Sequence, residues 1–114
     1  MAVAQLLAVR PHHTLMPVGS ITRDSQGRLE LELTSDTVGY DDFPKWAKRF
    51  LHRYDGTVIR RADGPDSRVL FVRLLGQELR LEFCDFPVQT SLVAESPAAE
   101  VVLHAILELE RYSA

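Results

Sequence analysis

Residues 68–86, RVLFVRLLGQELRLEFCDF, decide the fold. Two apolar-rich runs alternate on either side of Gly76-Gln77, a pair with turn chemistry. With Leu75 and Glu78 flanking a two-residue turn, Leu74 faces Leu79, Val72 faces Leu81 and Leu70 faces Phe83. All six are apolar, so the spacing predicts an antiparallel hairpin with one face for a core. The opposite face carries Val69, Phe71, Arg73, Arg80, Glu82 and Cys84. Such a sheet needs a packing layer on one side only.

Upstream, TVIRRA (57–62) reads as a strand and DGPDS (63–67) as the turn that joins it to the hairpin. Further back, RLELELT (28–34) alternates strictly. Leu29, Leu31 and Leu33 point one way, and Arg28, Glu30 and Glu32 the other. The turn residues DSQG (24–27) predict that TLMPVGSITR (14–23) pairs with it. Pro17 marks that partner as an edge strand or a bulged one, because proline cannot donate to a ladder. The first residues, MAVAQLLAVRP, lack the basic start and cleavage site of a secretion signal and read as a first strand or short helix.

Between these hairpins, Phe43, Trp46, Ala47, Phe50, Leu51 and Tyr54 fall on one stripe of a helix. Lys45, Lys48, Arg49, His52 and Arg53 are assigned to the opposite side. Asp41 and Asp42 are placed to cap its start, Pro44 fits its first turn, and Gly56 ends it. Downstream, VQTSLVA (88–94) reads as a short final strand. Ser96-Pro97 then opens a second helix, with Val102, Ala105, Ile106 and Leu109 on its apolar face and Glu100, His104, Glu108 and Arg111 on its polar one.

The chain is thus expected to be a single α+β domain spanning 1–114. Its architecture is a two-layer sandwich, a mainly antiparallel sheet of about five strands with two helices on one face, in the order ββαβββα. Asp-Phe-Pro occurs twice, at 42–44 and 85–87, yet the first enters a helix and the second leaves a strand. They mark no duplication.

Composition narrows the function. A net charge of −3 supplies no bulk field toward nucleic acid or acidic lipid, and no run is long and apolar enough to span a bilayer. One cysteine forms no internal disulfide and suits a reducing cytoplasm. Cys84, beside Glu82 and Asp85, reads as a partly buried structural residue rather than a nucleophile. His12 and His13 are adjacent and point apart, and no metal-ligand spacing exists, so no metal or other cofactor is expected. His104 lies one turn from Glu100 and Glu108 on a solvated helix face. No phosphate loop, nucleophile elbow or dinucleotide fingerprint is present.

Two surfaces stand out. The sheet face away from the helices presents Arg28, Glu30, Glu32, Phe71, Arg73, Arg80 and Glu82, and arginines around an aromatic residue suit a protein interface. The basic side of the first helix could hold phosphate, but its aromatics lie on the other side, which disfavours nucleic acid.

The run from DDFPKWAKRF (41–50) through GTVIRRADGPDSRVLFVRLLGQELRLEFCDFP (56–87) to the last helix resembles small bacterial domains of unknown function. In its layout it is similar to immunity proteins of polymorphic and contact-delivered toxin systems. The resemblance implies a cytoplasmic, non-enzymatic protein that binds and blocks a cognate toxin. Taken with the open face, the expectation is a protein-binding module using Phe71, Arg73, Arg80, Glu82, Asp85 and Phe86, with no catalytic residue. The alternative is a small-ligand or nucleic-acid binder using the basic first helix. A homodimer is compatible with either. An enzyme would need a pocket that gathers His52 or His104 with Asp85.

Overall fold

The computed structural model describes residues 18–33, 38–85 and 88–112, the side chains of 111 and 112 excepted. The N-terminal segment with His12, His13 and Pro17 lies outside the described residues, as do Phe86, Pro87 and the Arg111 side chain. The elements are β1 (Val18–Arg23), β2 (Leu29–Leu33), α1 (Phe43–Arg53), β3 (Thr57–Asp63), β4 (Ser67–Leu74), β5 (Gln77–Asp85), β6 (Val88–Ala94) and α2 (Pro97–Tyr112). The strands form one six-stranded sheet in the order β1-β2-β6-β5-β4-β3, with every neighbouring pair antiparallel.

The α+β class with two helices stands, but five strands in the order ββαβββα is corrected to six, ββαββββα. Residues 88–94 form the expected final strand, but not at the sheet's end. They form β6, which lies between β2 and β5 and is buried from Thr90 to Ala94. Asp85 of β5 pairs with Val88 at the start of β6. Its pairing with β2 is a long-range choice that local alternation does not encode.

The β4–β5 register also differs from expectation. Leu74 pairs with Gln77, Val72 with Leu79 and Leu70 with Leu81, so the turn is Leu75-Gly76. Both turn residues have positive φ, 50° and 83°, which is the geometry a two-residue hairpin favours. Gly76 adopts it without steric cost, and Leu75 is held there by packing against the core. The shift is two residues, so each side chain keeps its expected face.

The inner face carries the core. A row of Leu31, Leu92, Leu81 and Leu70 runs across β2, β6, β5 and β4 at matched register. Onto it α1 lays the expected stripe, Phe43, Trp46, Ala47, Phe50, Leu51 and Tyr54, all buried. Aromatic rings form a continuous path along it: Phe83 to Phe43 at 5.5 Å, Phe43 to Trp46 at 6.1 Å, Trp46 to Phe50 at 5.5 Å, and Phe50 to Tyr54 at 5.3 Å. In α2, Val102 and Ile106 are buried as expected, with Ala99 and Leu103 beside them. The Ser96 hydroxyl accepts the Ala99 N–H at 3.1 Å and caps that helix.

Three local expectations change. Asp42 occupies the start of α1 but makes no side-chain cap; the Gly39 carbonyl accepts from the Asp42 and Phe43 N–H groups instead. α1 ends at Arg53, and Asp55, at φ 53°, makes the left-handed reversal one residue before the Gly56 expected to end the helix. Gly56 is needed for another reason, since a Cβ there would overlap the Leu74 side chain. Arg53, assigned to the exposed side of α1, is 3% exposed. Its Nε donates to Glu110 Oε2 at 2.7 Å and its Nη2 to Glu110 Oε1 at 3.2 Å. The Tyr54 hydroxyl donates to the same carboxylate. Burial and the Glu110 charge both push the Tyr54 hydroxyl well above the ordinary tyrosine range, so it keeps its proton. This buried clamp joins the end of α1 to the end of α2.

Among the described residues no helix is long and apolar enough to cross a membrane.

Candidate binding surface along the β3 edge

Two helices are too narrow for six strands, and β3 is the strand they leave uncovered. All seven of its residues are exposed. The inner-face rows that are apolar core further in run out onto it: the row through Leu81 and Leu70 ends at Arg61, and the row through Leu79 and Val72 ends at Val58. Between this overhang and α1 lies an open groove of about 660 Å³. Phe43, Leu51, Val58 and Leu70 give it apolar walls, His52 lines it, and Lys45, Lys48, Arg61 and Arg68 supply cationic ones.

Within the groove, Arg68 is already committed. Its Nη1 donates to Asp63 at 3.0 Å and its Nε to the Tyr40 carbonyl at 2.9 Å, with the guanidinium 3.9 Å from the Tyr40 ring centroid. Lys45, Lys48 and Arg61 have no charge partner among the described residues. Val58 and Ile59, at 44% and 50% exposure, add apolar surface at the same edge.

The other side of β3 belongs to the open face. There Arg60, Phe71 and Arg80 occupy one cross-strand row. The Arg60 guanidinium sits 3.9 Å from the Phe71 ring centroid, and that of Arg80 lies 5.3 Å away, so the ring is flanked by two cations. Arg73 is exposed and pairs with Glu78 at 3.0 Å. Arg80 and Glu82 approach to 3.0 Å, and Glu95 draws Arg28 at 3.7 Å and Arg80 at 3.8 Å. Asp85 is half-buried at the end of β5, and its N–H donates to the Asp66 carbonyl. The open face is therefore cross-linked by its own charges, whereas Lys45, Lys48 and Arg61 of the groove have no charge partner among the described residues.

Glu30 lies on the acidic half of that face. Partial burial raises its carboxyl above the ordinary range, and the Asp24 and Glu82 charges add to this against Arg28. A raised folded value means the native state holds the proton more tightly than the unfolded chain. Stability is then lost as pH climbs from the unfolded value through the folded one. Glu30→Gln should raise the urea midpoint at pH 7 and leave it nearly unchanged near pH 3. An equal shift at both would place the effect elsewhere.

The remaining candidates separate in space. Cys84, expected to be partly buried, is exposed, because its strand parity puts it on the open face. His104 is exposed on α2, where its neighbour Glu100 is engaged by Arg23 at 3.0 Å. The groove contains His52 but neither His104 nor Asp85. Among the described residues no cluster of His, Cys, Asp and Glu could hold a metal ion.

Sequence reasoning found Lys45 and Lys48 but did not join them to β3. The available signal was TVIRRA itself, whose Arg60 and Arg61 place a charge on each face of one strand and so argue against a buried position.

No curated protein and no solved structure matches this chain. A family model matches residues 20–111, from β1 nearly to the end of α2, and its description assigns no activity. The chain therefore belongs to the family described as protein of unknown function DUF3630.

Proposed function

We propose that this protein is a non-enzymatic binding module for a partner protein, and that β3 with the surfaces on its two sides forms the contact. The observation that carries this is the exposed β3 edge, bordered on one side by an apolar-floored groove whose Lys45, Lys48 and Arg61 have no charge partner among the described residues, and on the other by the Arg60–Phe71–Arg80 stack. Arginine and aromatic residues are enriched where interfaces are tightest. Phe71, Arg73 and Arg80 from the open face belong to this surface. A toxin domain is the partner class suggested by the likeness to immunity proteins, which rests on layout alone. A reducing cytoplasm is the compartment in which an exposed thiol such as Cys84 persists.

A photoreactive residue placed at Ile59 should form a discrete protein adduct in the source cell, and one at the exposed Val101 on α2 should not. Arg60→Glu with Arg61→Glu should abolish the adduct. Failure to form any adduct at Ile59 would falsify the assignment. Co-expression with the product of the neighbouring gene tests the toxin version, which falls if no complex forms and growth is not rescued.

A further inference from the structure

We infer that the occupant of the groove is an extended acidic peptide segment that adds to β3 as a seventh strand. This rests on the protein-binding reading above and specifies its chemistry. Among the described residues β3 has a sheet neighbour on one side only, so its outer N–H and C=O groups are available to another chain. The register is interrupted between Val58 and Arg60, and a bulge of this kind blunts an edge. Beyond it, Arg60 to Asp63 pair in unbroken register with Phe71 to Arg68. That stretch is the template, and Val58 and Ile59 supply apolar contact beside it.

Charge chooses the sequence of the guest. Alternate side chains of an added strand would point into the groove, where Lys45, Lys48 and Arg61 are unpaired among the described residues. The acidic residue of the groove, Asp63, is already paired with Arg68. A guest alternating carboxylates with apolar residues meets both the cations and the floor of Leu51, Val58 and Leu70. A second copy of this chain is a poorer guest, because antiparallel self-pairing of β3 centred on Arg60 or on Arg61 sets that arginine against its own copy. Nucleic acid is disfavoured because no exposed aromatic ring lines the groove among the described residues, and it gains nothing from a strand edge.

The test uses the full chain labelled with nitrogen-15 and three probes at low salt: a peptide alternating glutamate and valine, its lysine counterpart, and oligothymidylate. The acidic peptide should give saturable amide shifts at residues 57–63 and slow hydrogen exchange at alternate amides from Arg60 to Asp63. Lys48→Glu with Arg61→Glu should weaken it by about tenfold or more. Both side chains are exposed, and the variant's amide spectrum checks that it folds. Shifts without slowed exchange would overturn strand addition, and equal or tighter binding of oligothymidylate or the lysine peptide would overturn the acidic-peptide assignment. An adduct at Ile59 in cells with no amide protection here leaves the binding function standing and removes only the strand-addition inference.

Discussion

Glu110→Ala should cost about 3–5 kcal/mol, a large share of the roughly 5–15 kcal/mol that holds a domain of this size together. The loss comes from what remains behind. Arg53 is buried, and Glu110 is the carboxylate that receives its Nε and Nη2. Without that carboxylate a guanidinium is left in the interior with its charge uncompensated, and the Tyr54 hydroxyl loses its acceptor. Arg53 Nη1 already finds no partner among the described residues, so the site has no spare acceptor. Urea unfolding followed by the fluorescence of Trp46, buried on α1, reads the change. Arg53→Met combined with Glu110→Leu should recover most of the loss, because replacing both charges with apolar groups removes the desolvation penalty as well as the attraction. A double variant as unstable as the single one would show that the clamp acts through something other than charge.

Phe83→Ala should cost a similar amount, about 3–5 kcal/mol, by a different route. Phe83 is fully buried on β5 and stands 5.5 Å from Phe43 and 6.4 Å from Tyr40, measured between ring centroids. Truncation removes a ring from the point where α1 meets the sheet and leaves a cavity that flanking strands cannot close. Phe83→Leu should recover more than half of the loss, since most of the volume returns.

What was legible in the sequence was parity. The alternation of Leu29, Leu31 and Leu33, and the stripe from Phe43 to Tyr54, identify buried faces because side-chain direction follows directly from backbone period. Register was less legible. A two-residue slip between β4 and β5 preserves every inward side chain, and only the turn geometry at Leu75-Gly76 separates the two pairings. Strand order was not legible at all, since the contact between β2 and β6 joins distant parts of the chain. The clamp left a trace that charge concealed. Arg53 continues the 43-46-50 spacing of α1, and Glu110 continues the 99-103-106 spacing of α2. Opposite charges at the next buried position of two helices are the signature of a paired interior site. The groove was legible only in pieces, because it exists where the helix layer stops, and no local pattern records the width of that layer.

The place of β6 also bears on how the molecule assembles. β3, β4, β5 and β6 follow one another as a meander and can pair as they leave the ribosome. The hairpin of β1 and β2 is made earlier, yet its sheet partner is β6. Among the described strands this hairpin must therefore wait for β6, the last to be made, before Leu29, Leu31 and Leu33 gain their neighbours across the sheet. Pairing β2 with β6 closes a long loop, and non-local pairing of this kind slows folding.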